Sequence, residues 1–221
     1  MNASRLTPIA AAFAPFASLA ETLLPHVADD AGDGSHDLDH LVRVWNNVRR
    51  IHAQEGGELR LLLAAVLLHD CVRVEKSSPL RSQASRLSAE QAGKIVRELG
   101  WDEDECAVVA HAVEAHSFSA NIAPLSLEAK ILQDADRLDA IGAIGVARCF
   151  YTAGRMGSSL YDAADPRAAD RALDDRRYAL DHFPAKLFGL AENFRTATGA
   201  ALAQERAGRM RRFVDELLAE L

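Results

Sequence analysis

Apolar residues recur at spacings of three and four along nearly the whole chain, and no stretch alternates apolar and polar residues over several positions. The first pattern is typical of amphipathic helices, whereas alternation would indicate strands. Alanine and leucine dominate the apolar positions, and both favour helices. The pattern predicts helices over residues 8–28, 37–55, 58–70, 86–99, 103–115, 126–143, 145–156, 170–181, 184–196 and 198–220.

Residues at several of the predicted helix ends agree with this reading. Gly56-Gly57 and Gly100 are suited to end helices, and Asp102 can cap the helix that follows Gly100. We therefore predict an all-α, single-domain helical bundle. Residues 1–34 are expected to form an N-terminal helix packed on the domain, and residues 35–221 to form the domain with its C-terminal helices.

Composition limits the function classes. The chain is 49% hydrophobic and 26% charged, as is usual for a soluble globular protein. Its net charge of −7 argues against a nucleic-acid polymer as partner, and no apolar run approaches the roughly 18 residues of a membrane span. Cys71, Cys106 and Cys149 have unrelated spacings that suit a reducing cytoplasm, and Cys71 is expected to be a small buried neighbour of Asp70.

Three polar side chains occupy positions where an apolar residue is expected. His69 and Asp70 end the hydrophobic run 61–68, and Asp134 lies on the apolar stripe of the segment 127–146. On a helical wheel Asp136 and Asp139 fall on the opposite side, where they are expected to be solvated or paired. The apolar residues within about 60° of Asp134 are Leu127, Ile131, Leu138, Ile141 and Gly145.

Each of these residues has two interpretations. Imidazoles and carboxylates that converge in an apolar setting are ligands for a divalent metal. Alternatively, Asp134 could form a buried salt bridge with Arg137 or Arg43, and His69 could be a hydrogen-bonded core histidine. A further histidine upstream would complete a metal site, but His36 and His40 lie four residues apart and the pattern does not choose between them.

Three stretches taken together resemble the HD superfamily of metal-dependent phosphohydrolases. They are HDLDHLVRV at 36–44, LLHD at 67–70 and QDADRLDAIGAIG at 133–145. The resemblance continues through SSPLRSQASRLSAE at 77–90, EAHSFSANI at 114–122 and DDRRYALDHF at 174–183. These are similar to the bacterial subgroup of YedJ- and YpgQ-like HD proteins.

The resemblance implies an all-α HD fold and a set of metal ligands. The residues that match the ligand positions are His40, His69, Asp70 and Asp134. The implied cofactor is a divalent ion, with Mn²⁺, Mg²⁺, Fe²⁺, Co²⁺ and Ni²⁺ all compatible with mixed nitrogen and oxygen donors. Asp70 is the implied catalytic residue, placed to bridge the ion and the attacking water.

The resemblance also implies a small phosphate-containing substrate, most naturally a nucleotide, and some relatives are nucleotide pyrophosphohydrolases. Phosphate contacts are expected from the basic segment after Asp70, with Lys76 and Arg81 as the preferred pair. His36, His111 and His116 are expected to contact substrate or to support the metal ligands.

Two other functions remain open at this point. An HD-type di-iron oxygenase would use His111 and His116 to complete a second iron site. A non-catalytic regulator would keep the metal and bind a ligand without turnover. The leading prediction is a metal-dependent phosphohydrolase that attacks a phosphate ester or anhydride with an activated water.

Overall fold

The computed structural model describes residues 8–27, 38–75, 78–117 and 120–221, and over these residues the chain is helical. The predicted all-α fold is confirmed, since the only extended pairing in the described part of the chain is an isolated bridge between Ser159 and Tyr178. The longer helices are α1 (Ala17–Leu23), α2 (Leu38–Glu55), α3 (Leu59–Leu68), α4 (Ala84–Glu98), α5 (Glu103–Ala115), α6 (Leu127–Asp139), α7 (Gly142–Met156) and α8 (Ala197–Ala219).

Contacts divide the chain into two compact units, Met1–Asp136 and Arg137–Leu221. The predicted domain boundary between residues 34 and 35 lies outside the described residues. None of the helices in the described ranges combines the length and the apolar character that a membrane crossing demands.

Helix α3 is the centre of the first unit. Every residue from Leu61 to Leu68 is buried, because α1, α2, α4 and α5 all pack against this helix. A helix that is apolar on all sides has to be enclosed in this way. Consequently His69, the first residue after Leu68, is still buried, whereas Asp70 is already exposed.

The N-terminal segment differs from the single helix predicted over residues 8–28. A short 3₁₀ turn spans Ala11–Phe13, and Ala14 is extended before Pro15, so that α1 begins only at Ala17. The continuous helix was therefore wrong, because a proline disfavours helical geometry at the residue before it.

The connection between α4 and α5 follows the prediction closely. Gly100 adopts a positive φ of 82° after α4, and the Asp102 carboxylate accepts the backbone N–H of Glu105 at 2.8 Å to begin α5. The Glu105 side chain in turn accepts the backbone N–H of Asp102, which completes a capping box.

In the second unit, α7 and α8 pack together around an aromatic cluster formed by Phe150, Phe183 and Phe213.

Helix α6 ends at Asp139 rather than at residue 143, and Gly142 turns the chain into α7 with a φ of +76°. That backbone conformation is readily available only to glycine.

The helix predicted over 170–181 is wrong. The segment belongs to a loop in which the carboxylates of Asp165, Asp174 and Asp181 accept backbone N–H groups. For example, the backbone N–H of Asp174 donates to the Asp181 carboxylate at 2.7 Å. Side-chain acceptors of this kind compete with helical hydrogen bonds. The helix predicted over 184–196 is likewise reduced to short turns at Phe183–Leu187 and Gly189–Ala191.

Candidate metal centre

His69 lies directly after the last residue of α3 and is 1% exposed. Its Nδ1 is 2.8 Å from the carbonyl oxygen of Val66, three residues earlier. Since a carbonyl only accepts, Nδ1 must carry the proton, and the lone pair of the neutral ring is then on Nε2. The helix end therefore fixes the tautomer and aims a nitrogen donor away from the helix.

His116 follows α5 in the same relation and is 5% exposed. Its Nδ1 is 2.6 Å from the carbonyl oxygen of Val113, so its Nε2 also carries the lone pair when the ring is neutral. The ring centroids of His69 and His116 are 4.9 Å apart. Two neighbouring helices thus deliver two imidazole donors to one place.

Helices α2 and α6 bring a third imidazole and a carboxylate. The Nε2 of His40 is 3.4 Å from the Nε2 of His69 and 3.4 Å from Oδ1 of Asp136. His40 is 2% exposed, whereas the side chain of Asp136 is 27% exposed. These three residues form a group whose donor atoms lie within 4.8 Å of one another.

Asp70 is the fifth residue of the cluster of possible donors, whose other members are His40, His69, His116 and Asp136. Its side chain is 46% exposed. Its Oδ2 lies 3.6 Å from Nε2 of His69, and its Oδ1 lies 3.7 Å from Nε2 of His116. His69, Asp70 and His116 form the second group of donors within 4.8 Å. Adjacent residues can both reach the cluster because the regular helix ends before them, at Leu68.

The donor set fits a divalent ion. Ligands about 2.1 Å from one ion lie roughly 3.0–3.4 Å from each other in octahedral or tetrahedral geometry. The donor separations of 3.4–3.7 Å in the cluster are close to this range. Imidazole nitrogens and carboxylate oxygens are also the donor types that such ions take. The cluster could therefore hold a metal.

The protonation states suit metal binding as well. Burial lowers the pKa of His69 and outweighs the nearby carboxylates, which keeps the ring neutral. Burial acts to raise the pKa of Asp136, but the hydrogen bond with His40 and further electrostatic interactions with the surrounding histidines hold it below its ordinary range. A neutral imidazole and an ionised carboxylate are the forms that ligate a metal.

The structure places Asp136 among the cluster of possible donors, where the sequence predicted Asp134. Asp134 is fully buried on the same helix but belongs to neither donor group among the described residues. The helical wheel predicts that α6 has one solvated face. In fact α6 is buried on nearly all sides, with Asp139 1% exposed and paired to Arg148, so burial does not single out one acid.

Two other predicted site residues, His111 and Arg81, belong to neither donor group among the described residues. His111 is half-buried, and its Nε2 accepts the backbone N–H of Leu125 at 2.9 Å, so it holds the loop after α5. Arg81 is exposed and donates to the carbonyl of Val74 at 3.0 Å. His36 and Lys76 lie outside the described residues.

Cys71 is not a possible donor in either group of the described residues, but it is less buried than the sequence predicted. It is half-buried and its thiol lies 3.5 Å from the carbonyl oxygen of Ser88. Burial raises the pKa of this thiol to about 11, which keeps it protonated. The backbone N–H of Val72 donates to the Ser88 hydroxyl at 3.2 Å, so α4 fixes the chain just after Asp70.

The chain is similar to known proteins over most of its length. The family model described as "HD domain" matches residues 37–141. The uncharacterized protein YpgQ of Bacillus subtilis is 34% identical over 200 residues, covering 89% of each chain.

Solved structures extend the similarity over nearly the whole chain. An HD-superfamily hydrolase from Bacillus thuringiensis has a TM-score of 0.68 at 28% identity and covers 98% of this chain and 96% of its own. Bacillus subtilis YpgQ in complex with ADP has a TM-score of 0.68 at 29% identity, and the match covers 91% of this chain and 96% of that of YpgQ. From the identity to YpgQ and the matched HD model, the chain belongs to the HD domain family.

Proposed function

We propose that the protein is a metal-dependent phosphohydrolase that cleaves a nucleotide or another small phosphate ester or anhydride. The observation that supports this most directly is the convergence of three imidazoles and two carboxylates at one end of α3, with Asp70 open to solvent. When bound there, a divalent ion would supply charge for the phosphoryl oxygens and lower the pKa of a water.

The ligands in this proposal are His40, His69, Asp70 and Asp136. The choice of one ion follows from His69, which belongs to both donor groups. Its Nδ1 is hydrogen-bonded to the Val66 carbonyl, so only Nε2 remains as a metal ligand. Nε2 has one lone pair, which can bind a single ion, so His69 cannot serve two ions at once. His116 then lies beside Asp70 as a neighbour of the centre rather than as part of a second complete site.

Asp70 is the residue best placed to act on the attacking water. It is the most exposed acid of the cluster, and one oxygen faces His69 while the other faces His116. A carboxylate in that position can accept a proton from water within hydrogen-bond reach. His116 can orient Asp70 or contact the substrate from the opposite side.

The substrate is proposed to be a nucleotide. Arg73 and Arg81 are exposed on the segment after Asp70, and guanidinium groups suit phosphate oxygens. The structural relative YpgQ has been crystallised with ADP, which supports the same class of ligand. Lys76 and His36 remain predicted contacts.

The three free cysteines support the prediction of a reducing cytoplasm.

The di-iron oxygenase is less well supported. That alternative requires His111 beside His116, but the Nε2 of His111 is taken up by the backbone N–H of Leu125. Within the described residues His111 also belongs to neither donor group.

A substrate panel tests the proposal. Protein loaded separately with Mn²⁺, Mg²⁺, Co²⁺ and Ni²⁺ is assayed on phosphomonoesters, phosphodiesters and nucleoside di- and triphosphates, with Asp70→Asn as the matched control. We expect turnover of a nucleotide with at least one metal and its loss in the variant. Absence of turnover across the panel, or equal turnover by Asp70→Asn, would contradict the proposed reaction.

A further inference from the structure

Two buried amide side chains join the helices that carry the metal-site donors. Asn47 on α2 is 3% exposed, and its Nδ2 donates to the carbonyl of Ala135 on α6 at 2.9 Å. Gln133 on α6 is 1% exposed, and its Nε2 donates to the carbonyl of Ala115, the last residue of α5, at 2.7 Å. The amides therefore link α2 to α6 and α6 to α5.

The acceptor of each bond directly precedes a residue of the cluster. Ala135 is followed by Asp136, and Ala115 is followed by His116. Asn47 itself lies seven residues after His40, which is two turns further along the same face of α2. Each bond thus fixes the backbone at the point where a donor side chain leaves its helix.

A core does not need amides at these positions for its stability. A buried amide loses its hydration, and a bond to a carbonyl largely offsets that loss without a large net gain. What the bond adds is register, because a shift by one residue moves a helix by about 1.5 Å and rotates it by about 100°. A metal site tolerates far smaller errors in the positions of its donors.

We propose that Asn47 and Gln133 are positioning residues that hold Asp136 and His116 in register with His40 and His69. The proposal rests on the proposed metal-dependent function. Each amide donates to a main-chain carbonyl, so its proposed action on the donors passes through the helix backbone.

The test replaces each amide by an apolar side chain of similar length, as Asn47→Leu and Gln133→Met. Controls on the same helices are Ile51→Val and Ile131→Val, which change equally buried positions without removing a hydrogen bond. The measurements are the Co²⁺ dissociation constant by calorimetry, the visible spectrum of the Co²⁺ form and the Tm of the metal-free protein.

We expect Asn47→Leu, which loses support of the ligand Asp136, to bind Co²⁺ roughly 10–100-fold more weakly and with an altered spectrum. Gln133→Met loses support of His116, which is a neighbour of the centre and not a ligand, so it should weaken Co²⁺ binding by less than about tenfold while also altering the spectrum. The Tm of the metal-free variants should stay close to that of the controls. A merely structural role would lower the Tm and leave the spectrum of the bound ion unchanged.

Wild-type affinity and spectrum in both amide variants would overturn the positioning role. So would an equal loss of affinity in the isoleucine controls, or failure of both amide variants to fold. If the wild-type protein binds no divalent ion at all, the proposed function itself fails. Binding by the wild type with unaffected amide variants refutes the positioning role alone.

Discussion

His69 and His116 end two neighbouring helices in the same way, each bonded through Nδ1 to the carbonyl three residues earlier. Carbonyls in the last turn of a helix lack a partner within that helix, and here the imidazoles supply one. The same bond leaves the lone pair of each neutral ring on Nε2, where it can bind a metal. One hydrogen bond therefore both caps the helix end and orients the possible metal ligand.

The two histidines should nevertheless differ in their effect on metal binding. We expect His69→Gln to weaken metal affinity by at least about 100-fold, since it removes a ligand rather than a supporting partner. His116→Gln should change the affinity by less than about tenfold while lowering kcat. Calorimetric metal titration and steady-state kinetics on the same preparations provide the measurement. An equal loss of affinity in both variants would make His116 a ligand.

The assignment of Asp136 instead of Asp134 is tested by exchanging each acid for its amide. Asp136→Asn should abolish tight metal binding because it removes a carboxylate of the cluster. Asp134→Asn should retain binding but lower the free energy of unfolding by about 1–3 kcal/mol, since a fully buried group is altered. Metal titration and chemical denaturation separate the two effects. Metal loss confined to Asp134→Asn would restore the assignment made from sequence.

Gly145 on α7 should not tolerate a side chain. A Cβ there would lie 2.5 Å from the carbonyl oxygen of Ala140, which is backbone and cannot move aside cheaply. We expect Gly145→Ala to destabilise the protein by about 1–3 kcal/mol. Gly154→Ala on the same helix meets nothing within 4 Å and should stabilise it by up to about 1 kcal/mol. Thermal unfolding of both variants checks the pair, and similar Tm shifts would contradict the close contact.

Asp181 should make the stability of the second unit dependent on pH in the acid range. Its 2% exposed carboxylate accepts two bonds from Arg171, and this pairing lowers the pKa of Asp181 below the ordinary 3.8. Because the folded pKa is depressed, the stabilisation is present above about pH 4 and is lost as the pH falls through the folded pKa.

The measurement is Tm as a function of pH for the wild type and Asp181→Asn. At neutral pH the variant should be less stable, by about 2 kcal/mol for the lost charged hydrogen bonds. The two curves should converge as the pH falls below about 4. A constant difference down to the most acid pH would show that the carboxylate charge does not contribute.

Helices with strong local signals could be predicted from the sequence. The predicted helix over 103–115 agrees with Glu103–Ala115 because a capping aspartate and a preceding glycine define its start locally. The prediction of a helix over 170–181 failed because Asp174 and Asp181 accept backbone N–H groups within this loop, and hydrophobic periodicity does not report such side-chain bonds. Pro15 was a local signal of an interruption within the predicted helix 8–28.

By itself, the sequence determined the all-α fold, the adjacent pair His69-Asp70 at the end of a buried helix, and His40 through a family resemblance. The tertiary structure decided which acid of α6 joins them, because that helix is enclosed on nearly every side and its own periodicity does not rank Asp134 against Asp136. It also distinguished His116 from His111. The reason is physical: periodicity reports which residues are buried, whereas a metal site depends on which donors from different helices meet at one point.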